Sequence, residues 1–223
     1  MAEVNDEQMQ AVAAQLRKPH GEYANEVARK MNEANAHLHE SVIAALQLKS
    51  RDFAVEVGMG NGYHVPQLMA MGESIRYAGY DYSQEMVSAA RQLNESYVRD
   101  GQAAFFLAAA DALPLRDGEA DTLFTINTIY FWEDLKATLT EFRRVLKKNG
   151  RLVIGMRPKR TMVAYPFTRF GFNMYSREDV VALVTDAGFQ VIDVIEKEEP
   201  GQEINGSRIV VESLIIVGTN GKQ

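Results

Sequence analysis

Three evenly spaced glycines, Gly58, Gly60 and Gly62, stand between a short apolar run and a helical one. Asp52 to Val55 reads as a short buried strand, and His64 to Met71 reads as a helix. A glycine-rich turn at such a junction bends the chain sharply and lets the backbone approach a ligand closely. It also commits the chain to a βα unit, and the sequence that follows keeps the same alternation.

Strands are predicted over Ala54–Val57, Ile75–Tyr80, Ala103–Ala109, Thr122–Asn127 and Leu152–Met156. A helix from Ser83 to Arg99, capped by Ser83, puts Met86, Ala90, Leu93 and Tyr97 on one face. Another carries Leu135, Leu139, Phe142 and Leu146 and stops before Asn149-Gly150. Ser176 to Asp179 has capping-box form and opens a helix bearing Val180, Leu183, Val184 and Ala187. The last strands, Phe189–Ile195 and Ile209–Val217, have no helix between them, which implies an antiparallel hairpin. Their link, Glu196 to Ser207, reads as a surface loop. The fold class expected is α/β, Rossmann-like and doubly wound, with a seven-stranded, mainly parallel sheet and an antiparallel C-terminal hairpin.

Residues 1–50 read as helices interrupted at Lys18-Pro19-His20-Gly21. They are expected to form a helical cap over the end of the sheet where a ligand binds. The organisation expected is thus a cap over 1–50, one α/β domain over 51–219, and a frayed tail over 220–223.

Composition removes several functions. A net charge of −6 and a pI near 5.3 argue against a nucleic-acid partner, which needs clustered cations. The chain has no cysteine, so disulfides, thiolate metal sites and cysteine nucleophiles are excluded. No transmembrane segment is expected, because no run of about eighteen apolar residues occurs. The N-terminus is acidic and polar, unlike a secretory signal, and a cytoplasmic setting is expected. No metal is expected. His37 and His39 are two apart and do not share a helix face.

Glu56 lies two residues before Gly58, where a buried strand end normally keeps an apolar residue. An acid there needs a cation, a water or a hydrogen bond. Asp81 closes the second strand, where a carboxylate can take both ribose hydroxyls of a nucleoside; the alternative is a helix N-terminal acid stabilised by the dipole. Asp111-Ala112 follows the third strand before Pro114, a position that also suits an ordinary turn aspartate.

Glu56 to Gly62, Gly79 to Ser83, Ala110 to Leu115, Ala120 to Tyr130 and Phe142 to Ile154 together resemble the ordered motifs of class I S-adenosylmethionine-dependent methyltransferases. The resemblance covers about residues 50–217 and is closest to small-molecule enzymes such as the quinone-biosynthesis C-methyltransferases. It implies S-adenosylmethionine as cofactor. Glu56, Gly58 and Gly60 would hold the methionine end, with Glu56 facing the α-amino group. Asp81 would take the ribose, with Tyr82 and Met86 beside the adenine. The Asp111 carboxylate and Ala112 N–H would contact the base edge, and Asn127 would lie at the methionine moiety. The implied partner is a small, hydrophobic or amphipathic acceptor. Tyr130 and Trp132, Tyr165 and its aromatic neighbours, and Tyr23 in the cap are expected to wall its pocket. Lid packing or a dimer surface is the alternative for these aromatics.

Methyl transfer from a sulfonium needs alignment more than acid–base chemistry. No residue announces itself as a general base, so the catalytic residues and the oligomeric state stay unassigned. A nicotinamide-dependent oxidoreductase would share the glycine turn and Asp81, but its fingerprint is Gly-x-Gly-x-x-Gly. A non-catalytic cofactor-binding protein is the other reading left open.

Overall fold

The computed structural model describes residues 5–204 and 207–221. Its elements in chain order are α1 (Asp6–Arg17), α2 (Ala24–Ala34), α3 (Ala36–Leu46), β1 (Phe53–Val57), α4 (Val65–Met69), β2 (Arg76–Asp81), α5 (Gln84–Leu93), α6 (Glu95–Arg99) and β3 (Ala103–Leu107). There follow β4 (Ala120–Ile126), α7 (Leu135–Val145), β5 (Leu146–Met156), α8 (Lys159–Met162), α9 (Arg177–Asp186), β6 (Gln190–Ile204) and β7 (Ser207–Thr219). The sheet order is β3-β2-β1-β4-β5-β7-β6, and β7 runs antiparallel to both its neighbours. The order reverses between β1 and β4, so the carboxyl ends of these strands form a crevice.

Each sheet face has its own core. Leu38, Val42 and Leu46 of α3 join Val65, Leu68, Val87 and Ala90 on one face. Leu139, Phe142, Val180 and Val184 of α7 and α9 cover the other. Full burial of each such side chain is worth about 1.5–3 kcal/mol. Gly155 on β5 is what lets α3 approach: a Cβ there would stand 2.2 Å from Val42 Cγ2.

Five expectations change. Only α1 and α2 stand over the crevice, whereas α3 is a sheet-covering helix. The helix expected over Ser83–Arg99 divides at Asn94, whose buried side chain donates to the Gly62 and Ala90 carbonyls. Asn149-Gly150 is no helix stop. α7 ends at Val145, and β5 starts at Leu146 with Asn149 at φ +61°. Fourth, the surface loop expected from Glu196 to Ser207 is mostly hairpin, with β6 and β7 paired from Gln190↔Thr219 out to Ile204↔Ser207. Residues 205 and 206 lie outside the described chain. Finally, Asn220 is no frayed tail residue. It is buried, and its amide donates to the carbonyls of Arg143, Leu146 and Lys147. Residues 222 and 223 of that tail lie outside the described residues.

Candidate functional site

The glycine turn is built by hydrogen bonds across the β1–β2 crevice. Gly58 N–H donates to the Tyr80 carbonyl at 2.7 Å, and Gly60 N–H to Asp81 Oδ2 at 3.0 Å. Gly58, Gly60 and Gly62 all have positive φ, a conformation that L side chains rarely adopt. A Cβ on Gly58 would also strike Thr128 Cγ2 at 2.2 Å.

A cavity of about 330 Å³ opens above this turn, within the ~300–1,000 Å³ typical of small-molecule sites. Gly58, Gly60, Asp81, Tyr82, Met86, Asp111 and Asn127 line it, which brings seven predicted positions to one place. Asp81 accepts from the Gly60 and Ser83 N–H groups and keeps lone pairs on both oxygens for further donors. Burial, partly offset by those N–H bonds and reinforced by the Glu56 carboxylate, pushes its carboxyl up to about 6. Vicinal hydroxyls of a nucleoside suit such an acceptor, and the open glycine turn leaves room for the rest of an adenosyl sulfonium.

Two predicted contacts are not in the cavity wall. Glu56 is buried elsewhere: its carboxylate accepts from Tyr77 OH at 2.5 Å and pairs with His64 Nε2 at 2.8 Å. The internal pair, rather than a ligand amine, satisfies the acid. Burial works against charge on His64, but the Glu56 carboxylate outweighs it and raises the imidazole pKa. The second is Ala112, whose N–H donates to the Ala109 carbonyl at 3.3 Å and so closes a turn.

The cap contributes to the same cavity. Leu16, Arg17, Pro19, Ala28, Met31 and Asn32 line it, none of them singled out by sequence. Their anchoring is polar: Ser83 Oγ donates to the Pro19 carbonyl at 2.6 Å, Tyr82 OH donates to the Arg17 carbonyl, and Arg17 pairs with Glu133 at 3.1 Å.

A second cavity, of about 610 Å³, adjoins the first. Tyr23, Tyr130 and Tyr165 line it as expected, together with Val27, Phe167 and Phe172. Trp132 does not. It lies in the cofactor-side wall, packed edge-on against Phe142. Tyr130 reaches this second wall already engaged. Its hydroxyl accepts from Arg157 N–H at 2.6 Å and lies 3.1 Å from Asn127 Oδ1, and burial raises its pKa. The two cavities meet at Leu16, Met31, Asn127 and Phe131.

Behind the junction lies a polar layer that sequence did not reveal. Arg157 and Glu199 form a buried ion pair at 3.0 Å, made possible by the long hairpin. The Arg157 Nη2 also donates to the Ala34 carbonyl at 2.9 Å and to Asn35 Oδ1 at 3.3 Å. Asn127 Nδ2 donates to the same Asn35 Oδ1 at 3.1 Å. His39 sits 5.1 Å from the His64 ring, and burial, with His64 and Arg157 nearby, brings it down to about 3, so it stays neutral at ordinary pH. Among the described residues no helix is long and apolar enough to cross a membrane.

Residues 55–154 match the family model described as "Methyltransferase domain". The chain is 28% identical over 162 residues to an uncharacterised methyltransferase, YdaC, of Bacillus subtilis, which covers 72% of this chain and 83% of that one. It is 29% identical over 146 residues to an O-methyltransferase, rstn1, of Aspergillus nomiae, covering 62% of this chain and 64% of that one. Among solved structures, a putative methyltransferase complexed with the Haloferax volcanii Trm112 methyltransferase activator superposes with a TM-score of 0.74 at 21% identity, over 99% of this chain and all of that one. A SAM-dependent methyltransferase from Aquifex aeolicus gives 0.67 at 23%, over 86% and 96%. At those identities the two structures speak for the fold.

Proposed function

We propose that this chain, whose residues 55–154 match a methyltransferase domain, is a class I S-adenosylmethionine-dependent methyltransferase that methylates a small, hydrophobic or amphipathic acceptor held in the second cavity. The observation that carries this is the junction: a nucleoside-sized cavity over the glycine turn opens into an apolar one across four shared residues. Asp81 takes the ribose hydroxyls, and the Gly58–Gly60 backbone makes room for the methionine end. Tyr82 and Met86 flank the adenine, with Asp111 at its edge. Tyr23, Tyr130 and Tyr165 wall the acceptor. An oxygen as methyl acceptor accords with the fungal relative named an O-methyltransferase. The setting proposed is cytoplasmic.

What the fold supplies to the reaction is alignment and exclusion of water. Holding donor and acceptor in line contributes up to roughly 7–11 kcal/mol. The test is thermal stabilisation by S-adenosylmethionine, S-adenosylhomocysteine, NAD and NADP, with Asp81→Ala as control. A ligand at a hundred times its Kd adds about 2.7 kcal/mol. Stabilisation by the two adenosyl sulfur compounds, lost in the variant, is expected. Stabilisation by a nicotinamide cofactor alone would overturn the cofactor assignment.

A further inference from the structure

Asn127 and Asn35 meet where the two cavities join. One comes from the end of β4 and the other from the linker between the cap helix α2 and α3. Asn127 Oδ1 lies 3.1 Å from Tyr130 OH, whose one hydrogen it shares with the Arg157 carbonyl at 3.0 Å, and its Nδ2 spends one hydrogen on Asn35 Oδ1. Asn35 Nδ2 spends one hydrogen on the Met31 carbonyl at 2.9 Å, while its Oδ1 takes bonds from both Asn127 and Arg157. Each amide nitrogen has two hydrogens. Each amide thus keeps an N–H donor for a ligand, while Asn35 Oδ1 is filled by two donors and Asn127 Oδ1 lies against the Tyr130 hydroxyl.

The carboxylates of the two cavities lie elsewhere: Asp81 at the ribose position, Asp111 at the adenine edge, and Glu133 paired with Arg17. The four residues common to both cavities, Leu16, Met31, Asn127 and Phe131, carry no titratable group. A junction of donors without a base suits a nucleophile that has already lost its proton.

We propose that the acceptor atom is an anionic oxygen, such as the ionised hydroxyl of an acidic phenol or enol, and that Asn35 and Asn127 position it by donating N–H bonds. This rests on the methyltransferase reading. The oxygen's lone pair forms the new O–CH₃ bond. The carbon–sulfur bond breaks, its electrons pass to sulfur, and the sulfonium becomes a neutral thioether. One anion and one cation give two neutral products, and no proton moves to the protein. The apolar cavity helps, because a water-poor surrounding strengthens the attraction between opposite charges that this reaction neutralises. The cap thus supplies a specificity residue as well as cover.

The test uses a hydroxynaphthoquinone, ionised at neutral pH, and the aminonaphthoquinone of the same shape. Both are titrated against the protein saturated with S-adenosylhomocysteine, by calorimetry and by visible absorption of the bound chromophore. The expected result is tighter binding of the hydroxy compound, with the spectrum of its anion. Asn35→Ala should weaken it roughly tenfold to a hundredfold, the usual loss for a hydrogen bond to a charged group. The isosteric Asn35→Asp, which keeps the shape and adds negative charge, should weaken it at least as much, with S-adenosylhomocysteine affinity retained in both. Preference for the amine, binding of neither compound, or an Asn35→Asp variant that binds the anion normally would overturn the proposal. Failure of S-adenosylhomocysteine itself to bind would instead overturn the methyltransferase reading.

Discussion

Cofactor affinity should fall with acidity because Asp81 must be ionised to accept ribose hydroxyls. Its carboxyl, held at about 6 chiefly by burial, is far above the ordinary 3.8. If the protonated form does not bind, the apparent Kd is nearly unchanged at pH 7, doubled at about pH 6 and about elevenfold higher at pH 5, or ~1.4 kcal/mol. Binding then releases a proton below pH 6, because ribose donors favour the charged carboxylate. Calorimetry with S-adenosylhomocysteine in two buffers of different ionisation heat reads both effects at once. Asp81→Asn should bind weakly with no such pH dependence. Equal affinity of the native protein at pH 7 and pH 5, with no proton released, would refute the assignment of the ribose to Asp81.

The same group has a linked effect on stability, with the opposite sign to a salt-bridged acid. An acid whose folded pKa is raised favours the fold below its unfolded pKa. That contribution is lost as pH rises through the folded value. Without ligand, Asp81 should therefore cost the fold stability between about pH 4 and 6, on the order of ~3 kcal/mol in total. Ligand donors should recover part of it, so the thermal shift given by S-adenosylhomocysteine should be larger at pH 7 than at pH 5.

Gly58→Ala should abolish cofactor binding while the chain still folds, since its Cβ meets Thr128 and its φ is +76°; equilibrium dialysis checks it. His64→Ala should destabilise the fold by about 3–5 kcal/mol in a denaturant titration, because it strands the buried Glu56 carboxylate. As the folded pKa of His64 is raised above 6.5, its charge stabilises the fold at low pH and ceases to do so as pH rises through that value. The deficit of the variant should thus be larger at pH 6 than at pH 9. Gly155→Ala should cost roughly 1–3 kcal/mol by forcing α3 off the sheet, read as a lowered Tm. Removing residues 1–34 should weaken cofactor binding as well as abolish transfer, because Leu16, Arg17 and Met31 line the cofactor cavity.

That last expectation sharpens the sequence reading, which put the cap over the ligand-binding end of the sheet without saying which of its residues reach the cavity. The strand–helix alternation was legible because apolar periodicity and caps are local: Ser83 and Ser176 cap the helices that their spacing predicts. Gly58, Gly60, Asp81 and Asn127 could be picked out as candidates because they stand at or just past the carboxyl ends of β1, β2 and β4. Leu16, Met31 and Asn35 carry no such mark, since their role depends on how α1 and α2 dock. The arm of the hairpin was hidden for a related reason. Glu196 to Gln202 has the charge, proline and glycine of a loop, and it becomes strand only because β7 pairs with it. Ion pairs of Arg160 with Glu196 and of Arg157 with Glu199 satisfy two of its acids.

Glu56 shows how a buried motif acid can find its partners inside the fold. A buried acid demands compensation, and the sequence offered a ligand cation as one source. The nearer source was eight residues on, in His64 at the start of the helix that the glycine turn launches. Pairing them ties the end of β1 to α4, so the acid fixes the turn from behind, and Tyr77 secures it to β2. His39, neutral beside His64, brings α3 to the same cluster. Its neighbour in the polar layer, Arg157, holds Asn35 and, through it, Asn127. The glycine turn and the Asn35–Asn127 amides are thus each tied to buried polar groups behind the two cavities. A Glu56→Gln variant should accordingly disturb the turn without removing any group from the cavity wall. A weaker Kd for S-adenosylhomocysteine with an unchanged pH dependence from Asp81 would bear this out. An unchanged Kd, with only stability lost, would confine Glu56 to the fold.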